Sequence, residues 1–258
     1  MQFSIQLIGG TGAGRTSFLT AFAHQYIEKS NRDNATFVFG EPENLFESIG
    51  NLFQTRTPDA SFSGTTQTYS LVHKYGKAAA KDNLVFYDIP GEVIVSGSYE
   101  RNPKNFGFCD GVIFIIDPTG AQDDHSTNAN TVISQFVQQF EKIRGLSIKK
   151  MKEIPVAVVI NKIDLEAVAS KLGASKLTAQ HDSSTIDKAC MGYLKDIGLD
   201  GAVKNIDANF SNVRYFPVSA TGAGDEGVFK PVGVVAPVLW IAGEGRANMA
   251  RLLASVDS

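Results

Sequence analysis

An apolar stretch, Phe3 to Ile8, runs directly into Gly9-Gly10-Thr11-Gly12-Ala13-Gly14-Arg15-Thr16. Beyond it, Phe18, Leu19, Phe22, Ala23 and Ile27 recur on one side of a helical pattern. A strand, a glycine-rich turn and an amphipathic helix in that order make a phosphate-binding loop. The glycines let several N–H groups turn toward one point, and the helix adds its positive end. Gly9, Gly12, Ala13, Gly14, Thr16 and Ser17 are therefore candidate contacts to a nucleoside triphosphate, with the Thr16 hydroxyl a candidate ligand for Mg²⁺.

The pattern departs from its usual form at Arg15, where a lysine is expected. Lysine offers a compact ammonium that fits between two phosphates. Arginine keeps the charge but spreads it over a broad planar fork. Arg15 is expected to grip phosphate oxygens still, with altered chemistry.

Apolar runs of strand length alternate along the chain with longer helical patterns. The strand candidates are Phe3–Ile8, Thr68–His73, Leu84–Asp88, Val112–Asp117, Val156–Ile160 and Val213–Val218. Helices are expected near Arg15–Lys29, Asn128–Arg144, Ser184–Ile197 and Pro231–Ala242. This alternation implies an α/β fold: a mostly parallel six-stranded sheet with helices on both faces. Ligands of such sheets bind at the carboxyl ends of the strands. The stretch Leu165 to Asp182 reads as a surface excursion. Phe37 to Gln67 is longer than an ordinary loop and carries Leu45, Phe46, Ile49, Leu52 and Phe53 at helical spacing. It is a small packed insertion or an element that meets a partner.

The charge balance excludes some partners. A formal charge of -3 gives no general attraction to nucleic acid or anionic lipid. The longest apolar run, Pro231 to Ala242, is too short to span a bilayer. Met1-Gln2-Phe3-Ser4 has no basic region or apolar core of a secretory signal. Cys109 and Cys190 lack metal-ligand spacing, which fits a reduced compartment. His24, His73, His125 and His181 show no metal-like spacing either, and His125 beside Asp123 and Asp124 reads as a loop cluster.

Three further motifs follow the phosphate loop in order. Leu84 to Asp88 is a strand run ending in aspartate, with Gly91 three residues on and then Glu92. Asp88 would hold Mg²⁺ through a water, and the Gly91 N–H would sense a γ-phosphate. Glu92 either positions the attacking water or is a solvated loop charge. Next, Val156–Ile160 leads into Asn161-Lys162-Ile163-Asp164. A carboxylate at Asp164 can accept hydrogen bonds from guanine N1–H and its 2-amino group, and would be left unpaired by adenine. The Lys162 stem can cover the base, and Asn161 can tie the base to the phosphate loop. Last, Ser219-Ala220 follows the final strand, where a backbone N–H can meet guanine O6. Between the first helix and second strand, Thr65 or Thr66 would close over the metal and γ-phosphate, Thr65 being preferred. Arg56 and Arg101 are candidate arginines in cis for the transition state, or simply solvated.

The ordered set resembles the Ras-type branch of P-loop GTPases. Flanking residues narrow the resemblance. Ile116-Asp117-Pro118, the run Asn212 to Gly222, and Pro237-Val238-Leu239-Trp240-Ile241 resemble the type-2 member of the bacterial double-GTPase pair, over roughly residues 3–242. This resemblance implies a three-layer Ras-like sheet, GTP or GDP with Mg²⁺, and a bacterial cytoplasmic setting. It also implies partner proteins (a second GTPase, an activating protein or an effector) in conflict or signalling systems. Residues 1–258 then form a single GTPase domain with an inserted segment 37–67 and a short C-terminal helix 246–256. In such an enzyme the catalytic set would be Arg15, Gly91, Glu92 and Thr65, and nucleotide-dependent dimerisation fits the fold. The competing expectation is a nucleotide-holding scaffold without useful turnover, motivated by Arg15. An ATPase is disfavoured by Asp164.

Overall fold

The computed structural model describes residues 2–30, 66–74, 81–101, 109–120, 127–144, 153–173, 183–222 and 230–245. Among the described residues six strands cross the molecule: β1 (Gln2–Gly9), β2 (Gln67–Lys74), β3 (Lys81–Pro90), β4 (Gly111–Ile116), β5 (Val156–Ile160) and β6 (Val213–Pro217). Their order across the sheet is β2-β3-β1-β4-β5-β6. Only β2 runs antiparallel, against β3; every other pair is parallel. The central strand β1 therefore has β3 on one side and β4 on the other. The carboxyl ends of five strands meet at one edge, where a ligand of this sheet type sits.

The helices are α1 (Arg15–Ser30), α2 (Gly91–Val95), α3 (Ser98–Arg101), α4 (Ala129–Arg144), α5 (Glu166–Leu172), α6 (Ser183–Asp196), α7 (Asp200–Asn209) and α8 (Ala236–Gly245). Side chains alternate along each strand, so the sheet feeds two cores. Phe3, Ile5 and Leu7 of β1 pack with Phe18 and Phe22 of α1 and Val238 and Ile241 of α8. The opposite face packs Val112, Phe114 and Ile116 of β4 against α4, α6 and α7. There α4 presents Val132, Ile133, Phe136, Val137 and Phe140, the repeat of an amphipathic helix. Phe136 meets Phe114 edge-on at 5.4 Å and stacks on Phe140 at 5.0 Å. The Asn128 side chain accepts the Thr131 N–H at 2.9 Å and so caps the start of α4.

The expected α/β sheet with helices on both faces is present, with differences in the helices, the short α2 and α3 among those not anticipated. Pro231–Ala242 is not one helix. Val232 pairs with Ser219 through two backbone hydrogen bonds, and α8 begins only at Ala236. Pro237 then falls in the first helical turn, where its missing N–H costs nothing. The excursion expected at Leu165 to Asp182 contains α5, which buries Val168 and Leu172. Helix α7 was not anticipated; its buried stripe is only Ala202, Val203 and Ile206. Most of the inserted segment, with the helical pattern at Leu45–Phe53, lies outside the described residues, as does the expected helix 246–256. Among the described residues no helix is long and apolar enough to cross a membrane.

Strand β6 pairs with β5 alone and would leave N–H groups unpaired on its outer side. Asp187 of α6 accepts the Tyr215 N–H there at 2.8 Å. Burial lifts the Asp187 carboxyl above its ordinary value, while that N–H and the Arg214 charge pull it partly back. A raised carboxyl pKa means the folded protein binds a proton more readily than the unfolded chain, so this group's contribution to stability falls as pH rises through that pKa. Asp187→Asn keeps an acceptor and removes the desolvated charge. It is expected to unfold in urea at pH 7 no earlier than the wild type and to lack the wild type's gain on acidification toward the ordinary carboxyl range. Asp187→Val leaves the N–H unpaired and is expected to cost about 1–3 kcal/mol.

Candidate functional site

The loop between β1 and α1 is built by backbone turns. The Ala13 N–H donates to the Gly10 carbonyl at 3.2 Å, and the Phe18 N–H to the Gly14 carbonyl at 2.8 Å. Gly12 and Gly14 have φ of 74° and 85°, the left-handed region that costs other residues energy. A Cβ on Gly14 would also lie 2.4 Å from Asn161 Nδ2, whereas one on Gly12 would meet nothing within 4 Å. The first turn of a helix has N–H groups without intrahelical partners. No acidic residue occupies that turn of α1, so its positive end is not neutralised from within.

Parallel pairing of β1 with β3 sets Leu7 beside Asp88 and Gly9 beside Pro90. Asp88 thus reaches the base of the loop, where Arg15 meets it. Arg15 Nε donates to Asp88 Oδ1 at 2.7 Å, and both side chains are 5% exposed. Arg15 Nη1 donates to the carbonyls of Gly9 at 2.5 Å and Gly10 at 2.8 Å. The guanidinium is therefore tied to the strand end and the loop's carbonyls. Sequence reasoning had it gripping phosphate. A buried guanidinium needs an opposite charge and several acceptors, and this corner supplies both.

Thr16 Oγ1 donates to Asp88 Oδ2 at 3.2 Å. A hydroxyl and a carboxylate are oxygen donors of the kind Mg²⁺ takes, but the carboxylate already holds the Arg15 guanidinium, which leaves the Thr16 hydroxyl as the available donor. Among the described residues no three His, Cys, Asp or Glu side chains gather into a metal site. Mg²⁺ bound through a nucleotide needs only one or two protein ligands. Burial, and after it the Asp88 charge, push the Tyr69 phenol pKa up. The two cysteines are buried and not joined in a disulfide, and burial pushes the Cys190 thiol up to about 12, so it is no nucleophile near neutral pH.

Gly91 opens α2 and is buried. Glu92 accepts a hydrogen bond from the Thr11 hydroxyl at the tip of the loop, and Thr11 Oγ1 lies 3.1 Å from Thr127 Oγ1. Glu92, Asp117, Thr127 and the loop residues Gly10 to Ala13 line a cavity of about 480 Å³. Glu92 is thus beside the loop, held by the Thr11 hydroxyl, which in turn lies against Thr127.

The second half of the site stands at the ends of β5 and β6. Asn161 is 2% exposed. Its Nδ2 donates to the Ala13 carbonyl at 3.0 Å, and its Oδ1 accepts the Ala220 N–H at 3.1 Å. One side chain thereby joins the phosphate loop to the Ser219–Ala220 turn. Ser219 Oγ donates to Asp164 Oδ1 at 2.5 Å and accepts the Gly222 N–H at 2.8 Å, which orients the carboxylate. Lys162 has a φ of 61°, the only positive value among described non-glycine residues, and such strain accompanies functional loops. Its ammonium meets Asp117 Oδ2 at 2.5 Å.

The structure thus gathers Gly9, Gly12, Ala13, Gly14, Arg15, Thr16, Ser17, Asp88, Gly91 and Glu92 at one end, and Asn161, Lys162, Asp164, Ser219 and Ala220 at the other. Thr65 and Arg56 lie outside the described residues. Thr66 precedes β2 and is half-buried, and Arg101 ends α3. Sequence reasoning gave no site role to Thr11, Tyr69, Asp117 or Thr127. Asp117 had a signal: it stands at a strand end beside the one that carries Lys162, whose charge needs a partner.

Strand order, glycine loop and strand-end carboxylates together define a P-loop nucleotide-binding protein. Residues 4–224 match the Double-GTPase 2 family, and the chain belongs to it. Membership implies binding of guanine nucleotide. No similarity to a curated protein was found.

The loop geometry gives a paired test. Gly12→Ala is expected to pay only the left-handed backbone cost, about 1–2 kcal/mol. Gly14→Ala meets Asn161 as well and should unfold at a lower temperature than Gly12→Ala in thermal melts. Equal melting temperatures would show that the Asn161 contact does not constrain the loop.

Proposed function

We propose that this chain is a regulatory GTPase: it binds GTP and GDP, hydrolyses GTP slowly, and presents different surfaces to partner proteins in the two states. The observation that carries the reading is Asn161. It holds the phosphate loop and the Ser219–Ala220 turn together, with Asp164 oriented by Ser219 of that turn. A carboxylate placed to read guanine and a cradle of N–H groups for phosphates are then parts of one site.

In this reading the N–H groups from Gly12 to Ser17 hold the phosphates, and Asp164 and the Ala220 N–H select guanine. Lys162 covers the base. Thr16 would hold Mg²⁺, with Asp88 reaching the ion only in competition with Arg15, and Thr65 would add a further oxygen. When bound, Mg²⁺ neutralises charge on the phosphates. Glu92, or the Gly91 N–H, positions water on the γ-phosphate side. GTPases of this type turn over alone at about 10⁻⁴ s⁻¹, and a supplied arginine adds about 10³–10⁵-fold. Loss of γ-phosphate contacts would release the segments flanking the site. The whole chain acts as one GTPase unit in the bacterial cytoplasm, with a second GTPase, an activating protein or an effector as partner, and dimerises with nucleotide. This setting rests on the family resemblance.

A second reading has one observation in its favour. Arg15 is committed to Asp88 and two carbonyls, as in a scaffold that holds nucleotide without turning it over. Single-turnover hydrolysis separates the two. Phosphate release above background supports the enzyme, and none, even with a cognate partner present, leaves the scaffold. Guanine selection is tested by calorimetry. GTP is expected to bind about 10⁴-fold more tightly than ATP, the discrimination available to a site that hydrogen-bonds its substrate. Asp164→Ala should abolish most of that preference while the protein stays folded. Equal affinities in the wild type would refute guanine recognition.

A further inference from the structure

Arg15 occupies the place from which a phosphate-loop cation acts, yet Nε and Nη1 of its guanidinium serve the protein. Nε serves Asp88 Oδ1 at 2.7 Å. Nη1 serves two carbonyls, of Gly9 at 2.5 Å and of Gly10 at 2.8 Å. Asp88 completes its set with the Thr16 hydroxyl at 3.2 Å. Both charges are almost wholly buried, at 5% exposure each. The carboxylate that a divalent cation would use is therefore already neutralised by a covalently attached cation.

We propose that Arg15 is a resident counter-ion for Asp88 that competes with Mg²⁺, so that this chain retains guanine nucleotides with little dependence on the metal. The inference rests on the guanine-nucleotide reading above. To take Asp88, a metal ion must either displace the guanidinium or sit beside it. Displacement strands a buried positive charge without its partner. Sitting beside it sets like charges close together in a medium that screens them poorly. A lysine could not hold the same arrangement. Its single nitrogen cannot serve the carboxylate and both carbonyls from two separate nitrogens, as the fork does. The choice of arginine thus alters which cation neutralises the site.

Calorimetry of GDP binding in saturating Mg²⁺ and in excess EDTA tests this. Coupling between two ligands commonly amounts to about 5–150-fold, and here removal of the metal is expected to weaken GDP by less than about fivefold. Arg15→Lys, shown folded by circular dichroism, should raise the loss above about fivefold, because the carboxylate becomes available to the metal. A loss of about fivefold or more in the wild type overturns the competition and leaves guanine binding intact. A folded Arg15→Lys protein with no greater dependence than the wild type overturns the role of Arg15. No GDP binding in either buffer overturns both this inference and the function it rests on. If Arg15→Lys does not fold, Mn²⁺ titrated into the wild-type GDP complex decides the matter by electron paramagnetic resonance. An unchanged free-ion signal supports the competition, and a quenched one contradicts it.

Discussion

The amide of Asn161 carries the connection between the two ends of the site. It donates to the phosphate loop through Ala13 and accepts from the turn after β6 through Ala220. Both contacts are buried, so each partner would be left without water if the amide were lost. The parallel sheet makes this possible. β5 ends beside β4 and β6, and the loop after β1 reaches across β4 toward the same edge. A nucleotide is long enough to need both ends held at a fixed separation. One short side chain sets that separation, and it also explains why Gly14 has no room for a side chain.

Charge is arranged differently at the two ends. At the base end, Lys162 and Asp117 form a partly exposed pair, and the Ser219 hydroxyl orients Asp164. Such groups can reorganise around a ligand at modest cost. At the phosphate end, the Arg15–Asp88 pair is buried and braced by backbone carbonyls. A buried pair gives rigidity more surely than net stability, since desolvation offsets much of the attraction. The phosphates would then meet mainly N–H groups and the end of α1, while the loop itself is held from beneath by its own arginine.

Much of this was legible in the chain, and the reasons are local. Five consecutive buried residues, Val156–Ile160, followed by Asn161-Lys162-Ile163-Asp164, give both a strand and a site at its end. The glycine loop is readable because glycines and a following amphipathic helix are sequence-local features. The direction of the Arg15 side chain was not readable. Its anchors include an aspartate 73 residues away that only the β1–β3 pairing brings near. The Lys162–Asp117 pair, 45 residues apart, was hidden for the same reason. Helix α7 escaped because Ala202, Val203 and Ile206 make too narrow a stripe to mark a helix by periodicity. The start of α8 was misplaced because Val232 is drawn into a bridge with Ser219, a contact that an apolar run does not announce.

A crystal structure of the protein with GDP tests the joined site most directly. The base edge is expected on the Asp164 carboxylate, the diphosphate against the N–H groups of Gly12 to Ser17, and Asn161 still bridging Ala13 and Ala220 between them. A nucleotide seated elsewhere, or one whose base lies away from Asp164 while its phosphates occupy the loop, would contradict it.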